Sequence, residues 1–565
     1  MDNRLTLPQM TLPVHLPAWA GLLIILGITL LLGLWTLEDV GICVDEPDYF
    51  RAAWLIANWY DDLLTGKISL TSDLAAWEFN WEHPPLAKIV CGLTDRLFGP
   101  GRALIRPGRQ EHGEPLIIPT KLGLLGPLGG MRLGALLFLL LSQVALYLLV
   151  QEDVGRAAGL FAAASLVGMP HIFGHSHLVC LDMPFATAAL WLIYAFRRGL
   201  TSKRASLLTG VCFGLCLAAK INALILPLPL LLWGLYSHPR KIWWNFLAMA
   251  VVGPLLLYLL WPRLWLHPID HFWQYFEFHL HHEYHPTYYF GQVYSNPPVP
   301  WHYPFVTLMI ATPPISLGLG FLGMLMALLS WRSKPVGWLL ILNFLAPMLL
   351  LSCTKSPKYD SLRLYLLTPV ILAALAGWGF AAFRDWVGRY RAIWRDPSRR
   401  TSQSFSGLSR GVTLFWGILL LAPSAFALIM VHPYPLAYFN SLIGGVRGAA
   451  PPPAGIGMES NFWGEAVALD VVAWINQNLP RGATIDTNEA SFGILREYQR
   501  IGRLRPDLQF QENAEYWVLI SQQGYWISPY FWELYYEKRP EWAYLQTFSL
   551  DSVPLVKILQ RLTPP

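Results

Sequence analysis

Two adjacent carboxylates, Asp45 and Glu46, stand in the stretch VDEPDYF (44–50), a few residues beyond the first long apolar run of the chain. A carboxylate within hydrogen-bond reach of a hydroxyl can take its proton as that oxygen attacks, so the pair is a candidate for general-base chemistry. The same pattern also serves as an ordinary solvated turn at the start of a loop. A second cluster, WEHPPLAK (81–88), sets Glu82, His83 and Lys88 around the rigid Pro84-Pro85 step. There a carboxylate, an imidazole and an ammonium can be positioned against an anion, although a Pro pair equally opens a helix. A third, CTKSPKYDSLR (353–363), gathers Lys355, Lys358 and Arg363 between two apolar runs. Such cations give charge-assisted hydrogen bonds to phosphate oxygens; contact with the headgroups of bulk anionic lipid is the plainer alternative. Asp182 and Lys220 border apolar segments. An ionisable residue at the centre of a membrane helix costs ~2.5–3.5 kcal/mol, so both are expected to face the bundle interior or its outer mouth, where Asp182 becomes a further candidate for substrate binding. His267, His271, His279, His281, His282 and His285, with Glu283 among them, match no closed metal-ligand spacing. Histidines among interfacial Tyr and Trp need no ion. No cofactor is assigned, and a divalent metal is left open.

The elements that must position these groups are apolar. Of the 565 residues, 54% are hydrophobic and only 14% charged, with 26 Trp and several apolar runs near twenty residues. That composition excludes a soluble globular protein and places the chain among polytopic α-helical membrane proteins. About eleven transmembrane helices are expected, over 18–37, 131–150, 157–173, 179–196, 205–219, 222–236, 243–261, 305–330, 336–353, 364–383 and 412–431. The first run is too long for a signal-peptide core and lacks a small-residue cleavage site, so it is a retained helix. With the N-terminus cytoplasmic, the inner loops collect Arg156, Arg197, Arg198, Lys203, Arg204, Arg240, Lys241, Arg332 and Lys334, followed by the basic segment 384–410. This is the positive-inside pattern. The formal charge of +5 therefore reports orientation rather than an acidic partner, and no nucleic acid is expected.

In this orientation the loop 38–130 and the tail 432–565 lie outside, and Lys355, Lys358 and Arg363 stand outside against the charge rule. The chain thus divides into a transmembrane module, 1–431, and an external C-terminal domain, 432–565. Short external helices are expected near 49–64 and 85–97. In the tail, a helical stretch over 465–478 and strand-like runs such as YWVLI point to a small α/β domain. The six cysteines show no metal spacing and are expected to pack, with a disulfide between Cys43 and Cys91 of the first loop as an open alternative.

Together these residues resemble the GT-C membrane glycosyltransferases, in the branch that contains the dolichyl-phosphate-mannose protein mannosyltransferases and the bacterial lipid A aminoarabinose transferases. The resemblance rests on the Asp-Glu pair after the first helix (Asp45, Glu46), on HPPLAK (83–88), which is similar to the mannosyltransferases' HPPLGK, and on the basic external segment from Lys355 to Arg363. The stretches HPYPLAYFNSLIGG and NFWGEAVALDVVAWINQNLP resemble the tails of uncharacterised members of the group. One departure is Asp48: the aminoarabinose transferases carry a basic residue shortly after the acidic pair, so that phosphate contact must come from elsewhere here. The tail also differs from the lumenal module of the eukaryotic mannosyltransferases.

The resemblance implies a polyisoprenyl-phosphate monosaccharide as donor, an acceptor of unknown class (protein, glycan or lipid) on the external side of the cell inner membrane, and inversion at the anomeric carbon. It implies Asp45 as base and Glu46 as the group that orients the acceptor. Lys355, Lys358 and Arg363, with His83 and Lys88, would meet the leaving phosphate, and Glu82 would fix His83 or contact sugar hydroxyls. A transporter or flippase of a lipid-linked sugar, and a ligase of lipid-linked glycans, are the alternatives. The inverted repeats common in transporters are not evident.

Overall fold

The computed structural model describes residues 19–562, apart from 73, 101, 105–115, 119–121, 283, 296–298, 354–356, 396–407, 489–490 and 527. The chain opens with α1 (Ala20–Thr36), followed by the two external-loop helices α2 (Glu46–Leu64) and α3 (Leu86–Phe98) and a short hairpin, β1 (Arg102–Leu104) and β2 (Leu116–Ile118). The apolar bundle continues through α4 (Gly129–Val154), α5 (Arg156–Val167), α6 (Pro170–His175), α7 (Asp182–Gly199), α8 (Lys203–Ala219), α9 (Pro227–Ser237) and α10 (Trp243–Leu260). Beyond α11 (Pro268–Leu280) and the hairpin β3 (Thr287–Tyr289) and β4 (Gln292–Tyr294), it closes with α12 (Tyr303–Ala311), α13 (Pro314–Leu329), α14 (Val336–Cys353), α15 (Leu367–Arg395) and α16 (Arg410–Val431).

Every expected apolar run falls on helix, but two are broken. The run 305–330 splits because Thr312 and Pro313 are extended (ψ 137° and 135°). Proline lacks an N–H and forces its predecessor out of the helical region, so two in a row end one helix and start the next. Met169 is likewise extended (ψ 107°) before Pro170, which separates α5 from α6. Such breaks shorten the helices: among the described residues five (129–154, 243–260, 336–353, 367–391 and 410–431) reach spanning length and hydropathy, with four shorter apolar helices beside them. The bundle packs tightly where side chains are absent. A Cβ at Gly323 would lie 1.8 Å from Leu375 O, and one at Gly379 would lie 2.0 Å from Leu319 O, so glycines alone let α13 and α15 cross this closely.

The tail carries α17 (Gly445–Ala449), α18 (Leu469–Asn478), α19 (Phe492–Arg500) and α20 (Pro529–Tyr535) around β5 (Thr484–Thr487), β6 (Gln509–Phe510), β7 (Tyr516–Ile520), β8 (Trp542–Leu550) and β9 (Val553–Arg561). The strands form one mixed sheet in the order β6-β5-β7-β9-β8, parallel at β6-β5-β7 and antiparallel at β7-β9-β8. Its main apolar core is not its own. Tyr49, Phe50 and Trp54 of α2 and Ala87 and Cys91 of α3 are buried in one cluster with Val471 and Ile475 of α18, Ile494 and Tyr498 of α19, and Val518 and Ile520 of β7. The loop between α1 and α4 and the tail are thereby held as one body. Cys43 and Cys91 are both buried free thiols.

Candidate active site

One arginine controls how the chain leaves α1. Arg132, in the first turn of α4, donates from Nη1 to Val40 O (2.6 Å) and Leu37 O (3.2 Å) and from Nη2 to Gly41 O (3.1 Å). Carbonyls at and beyond a helix end have no partner within the helix, and the guanidinium supplies one. The same group meets Glu46 in a bidentate pair, Nε to Oε1 at 3.1 Å and Nη2 to Oε2 at 2.8 Å. Each Glu46 oxygen accepts once more, Oε1 from the Val179 N–H (3.0 Å) and Oε2 from the Cys43 N–H (3.2 Å). Both side chains are 0% exposed. This corrects the expectation that Glu46 orients an acceptor: its oxygens are spent on Arg132 and two backbone donors. Glu46 instead ties the exit of α1, the start of α2 and the segment before α7 together.

Asp45, one residue earlier, faces outward. It is 32% exposed and accepts a hydrogen bond from Arg363 Nη2 across 318 residues of sequence. Arg363 is the hub of the site. Its Nη1 donates to Asp360 Oδ2 (2.6 Å) and its Nε faces Asp182 Oδ2 at 3.5 Å, while Asp182 Oδ1 accepts from Lys220 Nζ at 2.5 Å. The Trp463 ring lies against the guanidinium, with Cζ 3.9 Å from the ring centroid, a cation–π contact. Asp360 and Ser361, immediately before, hold φ of 55° and 52°, a region that residues with a Cβ rarely occupy. The Tyr303 hydroxyl accepts the Ser361 N–H at 2.9 Å and Asp360 O accepts the Arg363 N–H at 3.0 Å, which keeps this strained turn in place. Burial raises the Asp360 carboxyl to about 6, although the Arg363 charge pulls it down. The arrangement thus sets two cations among three carboxylates, at the start of α7, the end of α8 and beside the start of α2.

The HPP segment contributes differently from expectation. Lys88 is buried, and its Nζ donates to Asn80 O and His83 O, both at 2.7 Å. Desolvation lowers this ammonium to about 7. It clamps the turn 80–83 from inside, a structural engagement in place of the phosphate contact expected of it. His83 stacks on Tyr49 with centroids 5.4 Å apart. Burial, then the charges of Lys88, His279, Arg363 and Lys220, hold its imidazole well below the ordinary value, so it stands near the site as a neutral group rather than a cation. Glu82 accepts from Asn80 Nδ2 at 3.1 Å. Lys358 is buried, its backbone carbonyl accepts the Thr287 hydroxyl at 3.2 Å, and burial lowers its ammonium. Lys355 and Glu283 lie outside the described residues.

In α11 and after it, His271, His279 and His281 are bonded through Nδ1 to the backbone carbonyls of Arg263, Tyr275 and Glu277. Among the described residues one group has ligand atoms close enough to share a metal: His175, Cys180 and Asp182, within 4.8 Å of one another. A cation there would have to displace Lys220 and Arg363 from Asp182, so the donor set fits poorly. Sequence inspection missed Arg132, whose partners are remote, and the roles of Asp360, Trp463, Glu459 and Glu465. Trp463 and Glu465 belong to a stretch noted for its resemblance to other tails, and Glu459 lies two residues before it.

Residues 126–266 match the family model for dolichyl-phosphate-mannose-protein mannosyltransferase. The match takes in Arg132, Asp182 and Lys220 and bears out the resemblance to the GT-C membrane glycosyltransferases. No curated protein sequence matches the chain. Among solved structures, ArnT from Cupriavidus metallidurans bound to undecaprenyl phosphate aligns with 96% of this chain and 98% of that one, at 14% identity and a TM-score of 0.47. The apo oligosaccharyltransferase of Archaeoglobus fulgidus aligns over 88% and 65%, at 11% identity and a TM-score of 0.49.

Proposed function

We propose that the protein is an inverting membrane glycosyltransferase that moves one sugar from a polyisoprenyl-phosphate donor to an acceptor hydroxyl on the external face of the membrane. The observation that carries this is the Arg363 guanidinium shared by Asp45, Asp182 and Asp360, with Lys220 behind Asp182. Such a group of charges at the mouth of a bundle can both bind a phosphate and free a base. The phosphodiester of the donor competes for the guanidinium with charge-assisted hydrogen bonds of its own. As it binds, Asp45 loses its partner and becomes a free carboxylate.

The acceptor oxygen then attacks the anomeric carbon from the face opposite the phosphate, and its proton passes to Asp45. The bond from the anomeric carbon to the phosphate oxygen breaks, with both electrons leaving on phosphate. Prenyl phosphate gains a negative charge in that step, and cations already in place stabilise it without reorganising. Arg363 and Lys220 fill that role; Lys355 would add to it from the same segment. Glu46 and Lys88 keep Asp45 and His83 in position from beneath.

The test is turnover of a labelled polyprenyl-phosphate monosaccharide by the purified protein, with candidate acceptors present. A transferase releases prenyl phosphate as acceptor is consumed, whereas a carrier leaves the donor intact. Asp45→Asn should abolish transfer while donor binding persists, and unchanged turnover in that variant would refute the base assignment.

A further inference from the structure

The segment from Glu459 to Glu465 runs in backbone contact with the residues just before Asp45. The Val44 N–H donates to Trp463 O at 2.9 Å, and a Cβ at Gly41 would fall 2.0 Å from Glu465 O. Trp463 also meets the His175 ring, with centroids 5.5 Å apart, besides carrying Arg363. Along this segment several buried side-chain atoms are left without a hydrogen bond. Among the described residues, Ser460 Oγ, Asn461 Nδ2, Trp463 Nε1 and Glu465 Oε2 have no hydrogen-bond partner. Neither amide atom of Gln523 has one, and Gln523 stands next to the Gly524 N–H that donates to Glu459 Oε1 at 2.8 Å. All five residues are at least nine-tenths buried. Buried polar atoms in folded proteins are almost always paired, so unpaired atoms gathered on the segment whose Trp463 carries Arg363 are open to pairing by a ligand.

The chemistry of the set narrows that ligand. A hydroxyl, an amide group, an indole N–H and a carboxyl offer donors and acceptors together. An anion would want donors only, and would meet Glu465 and Asp360. The hydroxyls of a sugar ring, each of which both donates and accepts, match the mixture. We propose that Ser460, Asn461, Glu465 and Gln523 form the sugar subsite, which selects the transferred sugar by its hydroxyl pattern while Arg363 and Lys220 hold the phosphate. This rests on the donor reading above. Burial, reinforced by the Asp360 charge, pushes Glu465 up to about 8, so the carboxyl is protonated near neutrality and can donate as well as accept.

The experiment compares two binding constants of the full chain in detergent or nanodiscs. One is for bare undecaprenyl phosphate, the other for undecaprenyl-phosphate monosaccharides that differ in hydroxyls (a hexose, a 6-deoxyhexose and a pentose). The expected result is that the wild type prefers one sugar. Asn461→Asp, which keeps the oxygen that accepts the Ala466 N–H, and Glu465→Ala should each weaken that sugar lipid about tenfold or more, with bare lipid bound as before. Glu465→Gln should restore most of the loss. Ser460→Ala, the smallest change in shape, should flatten the preference among the sugars even if the others fail to fold. Equal weakening of both lipids, or no change in either, would overturn the subsite. A wild type that binds bare and sugar-bearing lipids equally would overturn it too while sparing the donor reading; one that binds neither would remove both.

Discussion

Glu46 offers the sharpest way to separate support from catalysis. Glu46→Gln keeps the size of the side chain and one oxygen, which still accepts from Arg132 Nε and the Val179 N–H. Its new amide nitrogen, however, points hydrogens at Arg132 Nη2 and the Cys43 N–H, two groups that now donate to Glu46 Oε2. The guanidinium is left without its counter-charge at a position with no exposure to water. Breaking a buried ion pair by removing one partner costs ~3–5 kcal/mol, against a total stability of about 5–15 kcal/mol for a typical folded protein. The variant should therefore show a strongly lowered thermal midpoint and poor recovery, measured by size-exclusion of detergent extracts after heating. Arg132→Met should be similarly damaging, yet the double variant should fall short of the sum by ~2 kcal/mol or more, because neither member then stays buried and unpaired. The outcome that refutes this reasoning is a Glu46→Gln protein with the wild-type midpoint, lost turnover and a raised KM for acceptor, which would return Glu46 to the acceptor.

Arg363→Lys should lower kcat/KM about 100-fold, since one ammonium cannot serve Asp45, Asp182 and Asp360 together and a preorganised donor is typically worth that much; steady-state kinetics reading within threefold of wild type would contradict the hub. Lys88→Met orphans two carbonyls and should destabilise the protein by ~2–3 kcal/mol in heat-denaturation assays while donor affinity stays put; a selective loss of donor affinity would mean that Lys88 reaches phosphate. Burial lifts Glu459 and Glu465 from 4.5 to about 8, so the folded state holds these protons more tightly than the unfolded one. Their contribution is complete below about 4.5 and is lost as pH rises through about 8; the thermal midpoint should fall between pH 5 and 9, less steeply in Glu465→Gln, and identical slopes for the two proteins would deny that Glu465 titrates there.

What could be read from the residues alone follows from how local each signal is. An apolar run near twenty residues has one economical structure, so the helices were legible as runs, but the breaks at Pro313-Pro314 and before Pro170 inside two of those runs were not. Arg363 stood out because a cation on the outer side violates a rule of charge placement. Asp45 stood out because it follows a spanning helix. Nothing local told that the two would meet, since 318 residues separate them. Glu46 misled because its neighbour Asp45 faces the charged hub and its own partner, Arg132, is 86 residues away. Lys88 misled in the same manner: an ammonium looks solvent-seeking until the turn it clamps is seen. Glu459 and Glu465 were silent because an acid in a tail reads as exposed, and only the packing of their segment onto residues 40–44 and the approach of Gly524 take the water away.

The shared core of the first loop and the tail has a consequence for how the protein matures. Helices α2 and α3 emerge early in synthesis with their apolar faces bare, and the residues that cover them, on α18, α19 and β7, are made some four hundred positions later. Until the C-terminal part has been made, the apolar faces of α2, the helix that starts beside Asp45, lack their cover. A chain cut after α16 would keep its apolar helices and leave the faces of α2 and α3 that meet α18, α19 and β7 bare.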